Sequence, residues 1–236
     1  MRFDVLTIFP EVFPGPLAVG VVGRALDAGD VELHVHDLRD YTEGRHRQVD
    51  DIQFGGGPGM VLKPEPIVRA LGSIREQAPS VRTILLSPQG RVFTQEVARE
   101  LAAESAVLLV CGRYQGVDER ARAAIGEELS VGDYVLSGGE VAAMAVIEAT
   151  ARLVPGVVGS PDSLADETFS AANDGGLEPP LYTRPAVFDG DAVPEVLRSG
   201  DHAAIAAWRQ KESEELTRRL RPDLVRSGPG RGGNHS

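Results

Sequence analysis

Three short loops in the sequence combine glycine with polar side chains directly beside apolar segments that have the composition of β-strands. They are Ser87–Gly90 after Leu86, Gly112–Gly116 after Cys111, and Gly132–Tyr134. Ligands of open α/β sheets bind where loops leave the carboxyl ends of the strands, and glycine lets a ligand approach the main chain. A simple turn explains any one of these loops equally well. Three of them on successive strands indicate a ligand pocket lined by backbone N–H and C=O groups.

Several other kinds of site are disfavoured by incomplete motifs. The glycine run Gly55–Met60 resembles a phosphate-binding loop, but no Gly-Lys-Ser/Thr ends it, which argues against a nucleoside triphosphatase. No Gly-x-Gly-x-x-Gly follows the first apolar segment, which argues against a dinucleotide-dependent oxidoreductase. The five histidines show no metal-ligand spacing, and Cys111 is the only cysteine. The sequence therefore predicts neither a metal centre nor an internal disulfide.

The elements that position the loops follow from an alternation of apolar β-type segments with helical patterns. This alternation predicts an α/β fold whose parallel sheet carries helices on both faces. The predicted strands lie near 3–8, 31–36, 81–87, 106–111 and 129–136, and the predicted helices near 17–28, 64–77, 94–104, 117–126 and 139–152. Proline, glycine, serine and aspartate interrupt any element from about 155 to 180. Beyond that segment we predict helices over Pro194–Arg198 and Ala203–Leu220, the second with Asp201 as its N-cap.

Composition and charge limit the partners. No apolar stretch approaches the roughly 20 residues of a membrane span, and the N-terminus lacks the features of a signal peptide. We therefore expect a cytoplasmic protein without membrane contacts. A formal net charge of −11 argues against non-specific coating of nucleic acid, so no DNA partner is expected. Two basic segments, Arg45–Arg47 and the C-terminal arginines from Arg218 to Arg226, are either local RNA contacts or solvated surfaces balanced by nearby glutamates.

Seven short motifs together resemble one known family. They are VDD (49–51), GGGPGM (55–60), LLSPQG (85–90), CGRYQG (111–116), VGDYVLSGGE (131–140), YTRP (182–185) and SGDHAAIAAWR (199–209). In order and spacing, from residue 1 to about 226, they resemble the bacterial tRNA (guanine-N1)-methyltransferases. That family methylates the guanine immediately 3′ of the anticodon. The resemblance implies the same activity here.

The resemblance also implies an architecture. The family's sheet domain contains a C-terminal deep trefoil knot, a rare exception to the rule that chains do not thread loops, and a small helical domain follows it. By this comparison residues 1–158 bind the cofactor, 159–178 form a flexible linker, 179–226 bind tRNA, and 227–236 are a disordered tail. Family members are obligate homodimers, in which the partner's linker and C-terminal domain complete each active site. Mg²⁺ is a candidate requirement, and the comparison assigns it no ligand.

By the same resemblance the three loops hold S-adenosylmethionine. The residues implied to bind it are Leu86, Ser87, Pro88, Gly112, Tyr114, Gln115, Gly116, Val131, Gly132, Asp133, Tyr134, Val135, Leu136, Gly138, Gly139 and Glu178. Two of these depart from the family pattern, because Gln115 replaces a glutamate and Glu178 replaces an aspartate. Gln115 carries no charge toward the ammonium group of the cofactor, which leaves that role to Glu178.

Three catalytic residues are implied as well. Arg152 matches the family's catalytic arginine, although a helix C-terminus favours an arginine on electrostatic grounds alone. The family has Glu-Asp-Ser-Phe where this chain has Asp166-Glu167-Thr168-Phe169, which puts Glu167 at the position of the general base. The extra methylene of glutamate moves the carboxylate by about a bond length, and a misplacement of about 1 Å can cost about 10²-fold in rate. Asp166 therefore remains the alternative base.

Two other functions remain compatible with the sequence. The cofactor loops alone do not name the nucleotide, so a knotted methyltransferase with another RNA substrate is one alternative. The altered carboxylates Gln115 and Glu167 make a non-catalytic RNA-binding paralogue the other. In any of the three cases we expect RNA at Arg184 and the other basic segments, and we expect Trp208 to pack between the C-terminal helices.

Overall fold

The chain divides into two compact units in a computed structural model that describes residues 1–159 and 162–225. The first unit is Met1–Gly159 and the second is Ser160–Ser236. The predicted disordered tail, 227–236, lies outside the described residues.

Regular elements of the described residues are as follows. The strands are β1 (Arg2–Thr7), β2 (Glu32–Asp37), β3 (Asp50–Ile52), β4 (Met60–Leu62), β5 (Arg82–Val92), β6 (Ala106–Cys111), β7 (Glu127–Ser130), β8 (Val187–Phe188) and β9 (Asp191–Ala192). The helices are α1 (Pro14–Leu17), α2 (Gly20–Ala28), α3 (Pro64–Gln77), α4 (Gln95–Ala102), α5 (Glu119–Ile125), α6 (Glu140–Ala151), α7 (Asp162–Ala165) and α8 (His202–Leu220).

A five-stranded parallel sheet forms the centre of the first unit, in the order β2-β1-β6-β5-β7. All six residues of the central strand β6 are buried, as expected for a parallel strand that is covered on both faces. Successive residues of β1 point to opposite faces: Phe3 and Val5 pack with α2, α4 and α6, and Leu6 packs with α3 and α5. The predicted α/β class with a parallel sheet is confirmed.

The predicted strand 129–136 is wrong over most of its length. β7 ends at Ser130, where the side-chain hydroxyl accepts a hydrogen bond from the Gly132 N–H (3.3 Å). Gly132 then adopts a φ of +149°, a backbone conformation that L side chains rarely adopt. The apolar residues Val135 and Leu136 resemble a strand in the sequence, but they belong to the loop that follows β7.

The antiparallel hairpin β3-β4 is an element that the sequence did not predict. Its strands have three residues each and enclose the glycine run 55–57, which offers no alternating apolar pattern. Its strand β4 lies beside the loop after β6, because the Leu62 N–H donates to Gly116 O (2.9 Å) and the Asp118 N–H to Leu62 O (3.0 Å).

In the second unit, α8 begins where the sequence predicted. The Asp201 carboxylate accepts hydrogen bonds from the Ala203 and Ala204 N–H groups, both at 3.0 Å, which confirms it as the N-cap. The helix predicted over 194–198 is a 3-10 helix, Glu195–Arg198. Leu177 is hydrogen-bonded to α8 through its N–H to Thr217 Oγ1 (2.9 Å) and its C=O to Ser213 Oγ (2.6 Å).

Candidate active site

The first loop of the site is an excursion within β5. Both Leu86 and Arg91 pair with Leu129 of β7, so the four residues Ser87–Gly90 leave the sheet and return to the same partner. A Cβ on Gly90 would lie 2.4 Å from the Glu128 carbonyl carbon and 2.5 Å from Leu129 N. Such contacts are shorter than real Cβ atoms show, so only glycine lets the loop rejoin β7 at this point.

The second loop follows β6 and has an unusual backbone. Tyr114 has a φ of +60° and Gly116 a φ of +136°. The Gln115 N–H donates to Met60 O (2.9 Å), which ties the loop to β4. The side chain of Gln115 lies so close to Gly59 that a Cβ there would be 2.5 Å from Gln115 Cγ. The glycine run that resembled a phosphate loop therefore packs against this second loop.

The third loop follows β7 and ends at the N-terminus of α6. The Gly139 N–H donates to Gly112 O (2.9 Å), and a bridge joins Gly138 to Arg113. A Cβ on Gly139 would lie 2.7 Å from Cys111 Cα. The second and third loops therefore meet through main-chain contact at the carboxyl end of β6.

A cavity of about 220 Å³ lies among the three loops. It is lined by 14 of the 16 residues that the resemblance assigned to the cofactor: Leu86, Ser87, Pro88, Gly112, Tyr114, Gln115, Gly116, Val131, Gly132, Tyr134, Val135, Leu136, Gly138 and Gly139. Asp133 does not line it, and Glu178 belongs to the second unit. The structure thus brings together three main-chain segments that begin at residues 86, 112 and 131.

Two arginines that the sequence analysis did not select, Arg113 and Arg122, also line the cavity. Arg113 was visible only as the third residue of CGRYQG, because its partners Glu140 and Phe9 lie far away in the chain, and Arg122 belongs to none of the recognised motifs. Arg113 Nη1 contacts Glu140 Oε2 at 3.2 Å, and its guanidinium lies 4.7 Å from the centre of the Phe9 ring.

Glu140 is the charged residue most deeply buried beside the cavity, with a side chain that is 5% exposed. Besides Arg113, it accepts a hydrogen bond from Thr7 Oγ1 (2.8 Å). As the first residue of α6 it also lies at the positive end of a helix dipole, which favours a carboxylate. Burial raises the pKa of the neighbouring Cys111 thiol well above its usual range, and the charge of Glu140 raises it further. Cys111 is therefore a neutral packing residue and not a nucleophile.

Comparison with known proteins decides the family. The family described as tRNA (Guanine-1)-methyltransferase TrmD matches residues 1–227. A tRNA (guanine-N(1)-)-methyltransferase of Syntrophotalea carbinolica is 52% identical over 95% of this chain and 90% of its own length. Proteins of the same name from Chloroflexus aurantiacus (53% identity, 95% and 88%) and Sorangium cellulosum (50%, 98% and 95%) are similarly close. The chain belongs to the tRNA (guanine-N1)-methyltransferase family.

Membership in the tRNA (guanine-N1)-methyltransferase family confirms the resemblance drawn from the seven motifs. It identifies the chain as a methyltransferase and supports this activity over that of a non-catalytic paralogue. Membership in a methyltransferase family implies, in general, that S-adenosylmethionine is the methyl donor.

The three catalytic residues implied by the family pattern lie in different units. Arg152 is the C-cap of α6 in the first unit and is partly buried. Asp166 and Glu167 belong to the second unit, where Asp166 is exposed and Glu167 is partly buried. Asn173 Nδ2 donates to the main-chain oxygens of both carboxylic residues, at 2.8 and 3.0 Å. The turn that carries the candidate bases is therefore held by a side chain of its own unit.

Each of the two basic segments has one arginine that is paired with a nearby aspartate. Arg47 forms an ion pair with Asp40, and Arg221 pairs with Asp223 at 2.7 Å. Arg226 lies outside the described residues. Trp208 is partly buried and packs against Tyr182, with the ring centres 6.4 Å apart. Tyr182 lies outside any helix, so this contact does not test the predicted packing between the C-terminal helices.

Two kinds of site are not found in the described part of the chain. Residues 1–159 and 162–225 contain no group of three or more His, Cys, Asp or Glu side chains placed to hold a metal ion. Within the same residues, no helix has the length and apolar character needed to span a bilayer.

Proposed function

We propose that this chain transfers the methyl group of S-adenosylmethionine to N1 of the guanine immediately 3′ of the anticodon in tRNA. The observation that carries the proposal is the cavity formed by the three loops, in a chain of this methyltransferase family. A location in the cytoplasm, where tRNA is modified, is part of the proposal.

The loops fit S-adenosylmethionine through their main chain. The methyl donor supplies an electrophilic methyl group on a sulfonium centre. Leu86, Ser87 and Pro88 line one part of the cavity, and the segment 131–136 without Asp133 lines another. Together we expect them to enclose the adenine. Val135 is 85% exposed in the single chain, so it has apolar surface to offer to a ligand or a partner. We also propose the deep trefoil knot of the family, with the close packing of Gly139 on Cys111 as support.

Guanine N1 needs a base because it carries a proton and is a poor nucleophile in that state. We propose that Glu167 removes this proton, so that N1 can form a bond to the methyl carbon while the bond from that carbon to sulfur breaks and leaves a neutral thioether. Negative charge then grows on O6, and Arg152 is proposed to stabilise it as a fixed cation. Asp166 is the alternative base. The Asn173 hydrogen bonds to both main-chain oxygens hold the backbone that carries the two carboxylates.

We propose a homodimer in which each active site combines Arg152 of one protomer with the linker and C-terminal domain of the partner. We propose that residues 1–158 bind the cofactor, that 159–178 link the two domains and that 179–226 bind tRNA. Arg184, Arg218 and Arg219 are exposed in the second unit and are proposed to contact tRNA phosphates, which position the substrate. Glu178 is proposed to face the ammonium group of the cofactor.

A resident Mg²⁺ site is not part of the proposal. Mg²⁺ commonly keeps several waters and binds substrate phosphates instead of an all-protein cage. If the reaction requires the ion, we expect it to arrive with the tRNA. Added Mg²⁺ should then reverse the loss of activity that a metal chelator causes. The affinity for S-adenosylmethionine should be the same with and without the chelator.

Methyl transfer to tRNA transcripts tests the proposed function. One transcript carries guanine immediately 3′ of the anticodon, and its matched control carries adenosine at that nucleotide. We expect labelled methyl groups only on the first, and digestion should locate them as N1-methylguanosine. Methylation of both transcripts, or methylation at another nucleotide, would contradict the proposed substrate.

A further inference from the structure

Arg122 of α5 occupies a junction between three parts of the first unit. Its Nε donates to Glu128 Oε1 of β7 at 2.9 Å, and its Nη2 donates to the same oxygen at 2.7 Å. Nη2 also donates to Gln89 Oε1 in the excursion of β5. One guanidinium nitrogen therefore joins a helix, a strand and the loop Ser87–Gly90, using both of its hydrogens.

Gln89 is the residue through which this junction reaches the cavity. Both Gln89 and Arg122 line the cavity. The Gln89 N–H donates to Ser87 Oγ (3.1 Å), so the side chain that Arg122 holds belongs to the same tight turn as Ser87 and Pro88. At its far end the turn is fixed by the contact of Gly90 with β7. In the middle of the turn, the side-chain bond to Arg122 joins it to the rest of the unit.

We propose that Arg122 is a positioning residue for the cofactor, which acts through Gln89 to hold the Ser87–Gly90 loop in the conformation that shapes the cavity. The proposal rests on the proposed function, because it takes the cavity to be the site of S-adenosylmethionine. Arg122 need not touch the cofactor to have this effect. Its charge is already paired with Glu128, and Glu119 Oε2 lies 3.6 Å from its Nε.

The geometry suits arginine and not lysine. A planar guanidinium presents several donors in a fixed fork and can bridge a carboxylate and an amide oxygen at the same time. A lysine ammonium can keep the ion pair with Glu128, but it is a compact charge on a flexible chain. Arg122→Lys therefore separates the charge of the residue from its bridging role.

Without the bridge, the loop must be ordered by the cofactor itself. Ordering a mobile side chain at a binding site costs about 0.5–1.5 kcal/mol, which corresponds to roughly a 3- to 10-fold weaker affinity. We therefore expect Arg122→Ala and Arg122→Lys to raise the Kd and KM for S-adenosylmethionine by roughly 3- to 10-fold. At saturating cofactor, kcat should stay near the wild-type value, because the bound loop has the same conformation.

The control is Arg120→Ala on the same helix. Arg120 is 72% exposed and forms its ion pair with Asp118, away from the Gln89 bridge. This variant should bind the cofactor with wild-type affinity. Thermal unfolding of each variant gives the folded fraction, so that a loss of protein is not counted as a loss of affinity.

A double-mutant cycle with Gln89→Ala tests the route. If Arg122 acts through Gln89, then Arg122→Ala in the Gln89→Ala background should add less than a twofold change in Kd, an effect of about 0.4 kcal/mol or less. A full independent effect in that background would overturn the proposal, as would wild-type Kd in Arg122→Lys.

Calorimetry on the wild-type chain separates the proposed function from the positioning role of Arg122. Absence of binding to the wild type would refute the proposed function, whereas normal binding to every Arg122 variant would refute this inference alone.

Discussion

At the scale of single residues, the site depends on a few side chains whose partners lie far away in the sequence. The Glu140 carboxylate accepts a hydrogen bond from Thr7 of β1 and forms an ion pair with Arg113 of the loop after β6. The sequence motifs identified the loops, but they carried no information about which carboxylate would be buried against which arginine. Arg113 and Glu140 were therefore found only in the structure, although both lie within recognised motifs.

Replacement of the candidate bases makes a prediction about catalysis. Glu167→Ala should lower the methyl-transfer rate by roughly 10²- to 10⁴-fold, the usual contribution of a general base, with little change in the Kd for S-adenosylmethionine. Single-turnover rates on tRNA transcripts measure the first quantity and calorimetry the second. Asp166→Ala is the matched control on the adjacent residue. A larger loss in Asp166→Ala than in Glu167→Ala would show that the base has been assigned to the wrong carboxylate.

The buried thiol makes a prediction about pH. Burial and the charge of Glu140 raise the pKa of Cys111 in the folded chain, whereas the unfolded thiol titrates near about 8.5. Above that pH the unfolded chain loses a proton that the folded chain keeps. The free energy of unfolding should then fall with a slope of up to about 1.4 kcal/mol per pH unit.

In Cys111→Ala the free energy of unfolding should not show this additional fall with pH. The substitution removes the only cysteine and leaves every other titrating group in place. Urea unfolding between pH 7 and 10 measures the difference. The folded wild type should also resist thiol reagents until it unfolds. Identical slopes for the two proteins, or rapid labelling of the native thiol, would refute the explanation.

At the scale of elements, apolar periodicity was sufficient for three strands of the sheet and insufficient for the loop after β7 and for the short hairpin. The predicted strands 3–8, 31–36 and 106–111 match β1, β2 and β6 to within a residue at either end. The sheet buries most of β1 and all of β6, whereas the edge strand β2 alternates the apolar residues Leu33 and Val35 with polar ones. Past Ser130 the apolar pattern continues, but its residues line a cavity instead of a core. The sequence did not predict hairpin β3-β4, because a strand of three residues is too short to show an alternation of apolar and polar side chains.

Substitution of Gly90 makes a prediction about the excursion of β5. Gly90→Ala forces a Cβ to within 2.4–2.6 Å of the Glu128 and Leu129 backbone. Overpacking of this kind typically costs about 1–3 kcal/mol of folding free energy. The variant should also bind S-adenosylmethionine more weakly, because the loop cannot rejoin β7 at Leu129.

Gly72→Ala is the matched control, because Gly72 lies within α3 and no atom is found within 4 Å of its added Cβ. It should leave stability unchanged or raise it by up to about 1 kcal/mol through helix propensity. Urea unfolding of both variants makes the comparison. Equal stability of the two variants would mean that β5 and β7 separate without cost.

At the scale of the whole molecule, the family match covers both compact units, and the candidate catalytic residues are divided between them. The sequence predicted a boundary from its change in composition after about residue 155, where glycine and proline interrupt the elements. Single-chain patterns carry no signal for a site shared between protomers, so the proposal of a shared site rests on the family resemblance alone.

Mixing two inactive variants tests the shared site. If Arg152 of one protomer acts with Glu167 of the partner, a heterodimer of Arg152→Ala and Glu167→Ala chains contains one intact site and one doubly altered site. Unfolding and refolding the mixture should restore roughly a quarter of wild-type activity, since about half of the dimers are mixed. Each variant refolded alone is the control. Absence of recovery in a mixture shown to contain heterodimers would place both residues in the same chain's site.

The central claim is that the cavity among the three loops holds S-adenosylmethionine. Hydrogen exchange of the full chain, with and without the cofactor, tests it directly. Bound cofactor should slow amide exchange in 86–90, 112–116 and 131–139, while exposed amides of the β8-β9 hairpin keep their rates. Protection confined to segments outside the three loops would contradict the claim.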